Sequence, residues 1–312
     1  MPTQNPALDG YRAAAAAPVK PAKRRRNTNL IGVLYLAPAL IFVILMVLIP
    51  FGQLIYTSFT SQSLLGGGKW VGGANYLRMW NDANFWKALG FTVKYTIYIT
   101  PILMISGYVL ALLTASNRPV LQVARGVIFL PVVIGLGTSS LLWFWLFDQQ
   151  VGLFDRALVD LHLAGSMIAW FNSADSALWA VIISVVWKVV GFGMILFMAA
   201  IQGISRDVTE ASLIDGAGYW QRVRHIYLPL TARTILLVTL ISAIGSMLAF
   251  EQLYIMTAGG PNGLTFTSVY WVYQSSFIKF QLGYGSALAV ILTAIIMAGA
   301  AIQITLTARR AA

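Results

Sequence analysis

The sequence of 312 residues contains no cysteine and only two histidines, His162 and His225. The absence of cysteine excludes disulfide bonds, thiolate metal sites and cysteine nucleophiles. The two histidines lie far apart in the chain, which also excludes a histidine metal cluster. Charged residues make up only 10% of the chain, against about 25% in soluble globular proteins. The scarcity of charge therefore places the chain outside the soluble globular class.

The chain instead contains several long apolar stretches. The chain is 58% hydrophobic, with a mean hydropathy of +0.75. A membrane-spanning helix needs about 20 apolar residues, and the backbone polar groups of such a segment must be satisfied internally. Six stretches meet this length: 30–51, 95–117, 126–147, 176–205, 234–257 and 282–308. They predict an all-α membrane protein with six transmembrane helices, in which Pro38, Pro50, Pro101 and Pro131 introduce kinks.

The distribution of lysine and arginine predicts the orientation of these helices. With the N-terminus inside, the inner segments hold fourteen basic residues and the outer segments hold six. Basic residues concentrate on the cytoplasmic side of membrane proteins. Both termini are therefore predicted to be cytoplasmic.

The chain before the first apolar stretch differs in composition from the rest. Residues 1–29 are rich in Ala, Pro, Lys and Arg without periodicity, which predicts a disordered basic cytoplasmic tail preceding a six-helix domain over 30–312. The apolar run that follows is too long for a cleaved signal peptide. A basic cluster beside a membrane helix fixes topology and meets anionic lipid, so we expect membrane lipid rather than nucleic acid as its partner.

One inner loop, residues 206–232, is unlike the other connections. Gly216 and Gly218 predict a tight turn between two short helices, and Pro229 is expected to end the second helix before the fifth span. Apolar side chains recur at spacings of three and four and predict one apolar face: Leu213, Ala217, Trp220, Val223 and Tyr227. Such a helix pair can lie on lipid, pack on its own bundle or dock into a partner's groove.

This loop resembles the EAA motif of the permease subunits of binding-protein-dependent ABC importers. That motif is Glu-Ala-Ala, three residues, Gly, nine residues and Ile-x-Leu-Pro. The residues that stand at its spacing are Glu210, Ala211, Gly216, Ile226, Leu228 and Pro229. Asp215 and Ala217 match the common Asp-Gly-Ala extension, whereas Ser212 replaces the third motif residue, usually Ala.

Looser similarities to the carbohydrate branch of that family extend over nearly all of residues 30–308, including Trp187-Lys188 and Phe250-Glu251. The resemblance implies that the loop is a coupling helix seated in a cleft of a cytoplasmic ATPase, which uses ATP and Mg; no cofactor is expected in this chain. It also implies a second, similar permease subunit forming a heterodimer or homodimer, an external or periplasmic solute-binding protein, and a bacterial or archaeal cytoplasmic membrane. A sugar is the expected cargo, and glycerol phosphate is the alternative.

The chain itself contains neither a nucleotide-binding motif nor a catalytic pair at the required spacing. The run Gly66-Gly67-Gly68-Lys69 lacks the Gly at 63 and the Ser or Thr at 70 that a phosphate-binding loop needs. The ten acidic residues form no catalytic pair, so no enzyme activity is predicted. A secondary transporter would need internal repeats and midplane ion ligands, of which the sequence shows no sign.

Two charges within spans mark a candidate substrate path. A charge at mid-membrane costs roughly 3 kcal/mol or more, so it usually faces a cavity or a partner. Lys188 and Glu251 could form an internal ion pair that fixes helix packing, or could line the path together with Gln252 and Tyr254. The outer loops at 60–94, 148–175 and 258–281 are the expected docking surfaces for a binding protein.

Overall fold

The computed structural model describes residues 28–116 and 118–311. The chain separates into two units, Met1–Gln53 and Leu54–Ala312. Most of the predicted basic tail, residues 1–27, lies outside the described residues. In the described part of the first unit, α1 spans Thr28–Val43, a π-helical turn spans Ile44–Leu48, and α2, Ile49–Ser58, begins.

The regular secondary structure of the second unit is helical in its described ranges, apart from an isolated bridge between Thr60 and Trp70, and loops join the helices. Its first helices are α3 (Ala74–Trp80), α4 (Ala83–Thr114), α5 (Pro119–Val133), α6 (Leu136–Leu146), α7 (Leu153–Asp160) and α8 (Ala174–Gln202). The later ones are α9 (Arg206–Ile214), α10 (Tyr219–Arg222), α11 (Leu228–Leu230), α12 (Ala232–Met247), α13 (Glu251–Thr257), α14 (Ser268–Tyr273) and α15 (Leu282–Ala311). Further π-helical turns follow α10 and α14, at Val223–Tyr227 and Gln274–Ile278.

The predicted all-α membrane fold is confirmed. Four helical stretches of the described chain are long and apolar enough to cross a membrane: Tyr35–Ser58, α4, α8 and Leu282–Thr305 in α15. Two bent pairs raise the number to six if each pair counts as one span. The cytoplasmic placement of both termini stays a prediction.

Two predicted spans are not the continuous helices that their apolar runs suggested. The third is broken between α5 and α6, whose axes meet at 100°, because Ile134 and Gly135 are extended. The fifth was predicted to run to Thr257, but α12 ends at Met247 and α13 begins at Glu251. Hydropathy measures the length of an apolar run but does not indicate whether residues inside the run are extended. Pro101, by contrast, lies within an unbroken α4.

Close packing between helices holds the second unit together. In one core cluster Tyr95 of α4, Trp143 of α6, Leu178 of α8 and Leu253 of α13 are buried together. At Gly191 the backbone of α8 lies directly against α5: a Cβ there would stand 2.5 Å from the Ile128 carbonyl oxygen. This packing brings α8 to the broken third span.

Candidate functional site

The loop between the fourth and fifth spans contains the predicted glycine turn. Gly216 has φ of +74°, a left-handed conformation that glycine adopts without a Cβ clash. The turn is closed by backbone bonds from the N–H of Asp215 to the Ala211 oxygen at 3.0 Å and from the N–H of Ala217 to the Ser212 oxygen at 2.9 Å. Two short helical pieces therefore meet at a defined turn.

The second piece of the loop extends further than predicted. Pro229 was expected to end it, but α11 continues to Leu230. The chain then bends by 70° around Thr231 before α12 begins. Thr231 is buried, and its hydroxyl is 3.0 Å from the Tyr108 hydroxyl on α4. This contact anchors the end of the loop to the helical bundle.

The predicted apolar face of the loop is divided between the bundle and the surface. Val223 is 6% exposed, whereas Leu213, Ile214 and Trp220 are 55%, 87% and 77% exposed. Of the motif residues, Ser212 is buried and Ala217 and Ile226 are half-buried. The remaining motif residues lie at the surface: Glu210, Ala211, Asp215, Gly216, Leu228 and Pro229. Exposed apolar side chains gathered on one loop are typical of an interaction surface.

A cavity of about 560 Å³ lies among α4, α8, α12 and the start of α13. This volume is within the range of about 300–1,000 Å³ found for small-molecule sites. Most of its wall is apolar, and its polar side chains are Tyr95, Ser242, Ser246, Glu251 and Gln252. The break after Met247 places Glu251 and Gln252 in the wall, so two of the four predicted path residues share the cavity. Sequence reasoning missed Ser242 and Ser246, although with Gly245 they form a stripe of small residues at helical spacing.

Lys188 lies beside the break in the third span. Its side chain is buried, and Nζ donates hydrogen bonds to the backbone oxygens of Pro131 and Val132 at 3.3 Å and of Ile134 at 2.6 Å. The last carbonyls of a helix have no partner within it. The ammonium therefore supplies donors to the end of α5.

Glu251 lies on the other side of the same break. A Cβ at Gly137, in the first turn of α6, would be 2.7 Å from a Glu251 carboxyl oxygen. A negative side chain is favourable near a helix N-terminus. Within the described ranges the one ion pair joins Lys94 to Asp175, so Lys188 and Glu251 do not form the ion pair that sequence reasoning offered.

Tyr254, the fourth predicted path residue, belongs to an aromatic cluster outside the cavity wall. Its ring centroid is 5.3 Å from those of Phe250 and Tyr270 and 5.5 Å from that of Tyr273. The side chain is 41% exposed. Phe250 lines the cavity as well, so the cluster adjoins the cavity.

A second, smaller polar cavity of about 340 Å³ surrounds Asp82, and sequence reasoning missed it. Asp82 Oδ2 accepts hydrogen bonds from Trp271 Nε1 at 3.1 Å and from the Tyr284 hydroxyl at 2.5 Å. Burial opposes ionisation of this carboxyl, but the hydrogen bonds outweigh burial and hold its pKa below the usual value. Arg78 lies over the Tyr284 ring and Lys279 over the Trp271 ring. Asp82 is 189 positions from Trp271 and 202 from Tyr284 in the chain, and no local pattern joins these segments.

The part of the chain that the structure describes contains no group of three His, Asp or Glu side chains able to hold a metal ion. A multi-helix membrane fold, an internal cavity and a helical loop with exposed apolar side chains together define a membrane transport subunit. Residues 104–311 match the family described as binding-protein-dependent transport system inner membrane component. The chain belongs to this family and is a multi-pass inner-membrane permease.

Curated relatives resemble the chain over most of their length. The chain is 34% identical over 278 residues to the sulfoquinovosyl glycerol transport system permease protein SmoG of Agrobacterium fabrum, covering 88% of this chain and 90% of that protein. It is 31% identical to the lactose transport system permease protein LacF of Rhizobium radiobacter, covering 88% and 92%. A bacterial ABC transporter involved in alginate import has the same fold, with a TM-score of 0.79 at 18% identity over 91% of this chain and 96% of that chain.

Proposed function

We propose that this chain is a permease subunit of an ATP-driven importer that carries a sugar or sugar derivative from an external binding protein into the cytoplasm. The relatives support the cargo class, since their names include lactose and starch degradation products. The chain is also 29% identical to a glycerol-3-phosphate transport permease of Brucella abortus. A non-sugar polar solute is therefore the second candidate cargo.

The loop at 206–232 carries the proposal for coupling. Leu213, Ile214 and Trp220 are exposed in an otherwise folded element, which supports docking into a cytoplasmic ATPase that binds ATP and Mg. Closure of two ATPases would pull two such loops together. The glycine turn and the buried contact of Thr231 would transmit this movement to α4 and α12. A second permease subunit would complete the translocation path.

The cavity residues Glu251 and Gln252 are proposed to line the sugar path, and Tyr254 to offer a stacking surface beside it. Lys188 would contribute to the path indirectly, by stabilising the end of α5 at the break in the third span. In reconstituted importer, Glu251→Ala and Tyr254→Ala are expected to lower transport and substrate-stimulated ATPase activity. Unchanged values for both variants would remove these residues from the path.

Affinity purification of the tagged chain from its native membrane in mild detergent tests the coupling loop. An ATPase and a second permease are expected to co-purify. Gly216→Val forces a β-branched residue into a left-handed conformation and should lose the ATPase. Gly218→Val is the matched control, because Gly218 has φ of −65° and a Cβ there would meet only the Gln221 side chain at 3.6 Å.

Equal recovery of the ATPase with both glycine variants would contradict the proposed role of the turn. A chain that purified alone and transported solute in ATP-free liposomes would instead be a secondary transporter.

A further inference from the structure

We infer that Glu251 makes the cavity unfavourable to anionic solutes, so that this subunit passes uncharged or cationic sugars rather than acidic or phosphorylated ones. The inference rests on the proposed function and narrows its substrate class. It comes from the charges in and around the cavity wall.

The cavity wall carries an acid and no base. Of the twenty residues around the cavity, Glu251 is the one Asp or Glu, and none of the twenty is Lys, Arg or His. Glu251 is exposed and lines the cavity, and one of its carboxyl oxygens lies near Gly137 at the start of α6. Tyr95 and Gln252 also line the wall.

The Lys188 side chain is bound at the helix break and does not line this space. Lys188 is 7% exposed and is not part of the cavity wall. Its three hydrogen bonds go to carbonyl oxygens at the end of α5. Because its donors are taken by these carbonyl oxygens, Lys188 has no hydrogen bond to offer an anionic solute, although its charge interacts with that of Glu251.

The negative charge of Glu251 should therefore make the cavity favourable to cations and unfavourable to anions. A second negative charge brought within several ångström of a carboxylate in a partly desolvated space is disfavoured on the order of tenfold or more. A sugar hydroxyl, in contrast, can donate a charge-assisted hydrogen bond to the same carboxylate. Ser242 and Gln252 provide further partners for hydroxyl groups.

The chain has no cysteine of its own, which makes the charge of the cavity directly measurable. Ser242→Cys places a thiol of nearly the same size in the cavity wall. Two methanethiosulfonate reagents of similar size, one bearing a sulfonate and one a trimethylammonium group, are applied to the importer complex without its binding protein, which is expected to dock on the 148–175 loop. Ser166→Cys, on an exposed loop, corrects for the different intrinsic rates of the two reagents. Any change in the reactivity of the Ser242→Cys thiol affects both reagents alike and cancels in the ratio of the cationic to the anionic labelling rate.

We expect the corrected ratio of cationic to anionic labelling at Ser242→Cys to be about tenfold, and to fall to within about twofold of unity when Glu251→Gln is added. An equal ratio in both backgrounds, or no labelling by either reagent, would overturn the inference. The labelling rates are independent of transport. A complex that shows the charge preference but no ATP-driven uptake would count against the proposed function alone.

Discussion

The Lys188 ammonium and the Ile134 carbonyl oxygen are 2.6 Å apart, across the break that divides the third span into α5 and α6. Glu251 lies against Gly137 at the start of α6. One positive and one negative side chain thus serve the two helix ends that the break creates. Each charge lies at the helix end whose dipole it complements.

Removing the ammonium should destabilise the protein. Lys188→Met keeps the length of the side chain but leaves buried carbonyls without donors, at a cost of about 2 kcal/mol. We expect a lower midpoint of thermal unfolding in detergent. Lys188→Gln keeps a hydrogen-bond donor, so its midpoint should lie between those of the parent and Lys188→Met. A Met variant as stable as the parent would contradict the capping role.

Two glycines in α8 should differ in their tolerance of the same substitution. A Cβ at Gly191 would meet the α5 backbone at 2.5 Å, whereas a Cβ at Gly193 would find only Val238 at 3.9 Å. Gly191→Ala is expected to destabilise by about 1–3 kcal/mol through overpacking, and Gly193→Ala to be nearly neutral. Thermal unfolding of both variants measures the difference, and equal stabilities would show that α5 moves away without cost.

Asp82 should make stability depend on pH. The pKa of its carboxyl is lowered in the folded state, so its contribution is present above the unfolded value of about 3.9 and is lost as pH falls through the lower folded value. Asp82→Asn should flatten the loss of thermal stability between about pH 5 and pH 2. Asp160→Asn, on an exposed residue of α7, is the control. The same acid profile for the parent and Asp82→Asn would refute this assignment.

The Lys94–Asp175 ion pair should contribute little despite its distance of 2.5 Å. The two side chains are 45% and 75% exposed, and exposed pairs are worth about 0–1 kcal/mol. A double-mutant cycle with Lys94→Met and Asp175→Asn should give a coupling energy below about 1 kcal/mol. A larger value would indicate that the two groups are desolvated in the membrane-embedded complex.

The sequence alone determined the class of the protein. Apolar runs of spanning length can form only helices in hydrocarbon, and the spacing from Glu210 to Pro229 is a local property of the chain. The glycine turn at Gly216 followed for the same reason, because the preference of glycine for left-handed backbone is local. These features need no knowledge of which helices are neighbours.

The tertiary structure decided the cavity and the breaks. Ile134 and Gly135 are extended within an apolar run, and the end of α5 is stabilised by Lys188, more than 50 positions away in the chain. Asp82 meets Trp271 and Tyr284 only because α4, α14 and α15 pack together. Helix packing decides that both charges lie at helix ends and that Glu251 alone also lines the cavity, and hydropathy along the chain carries no information about that packing.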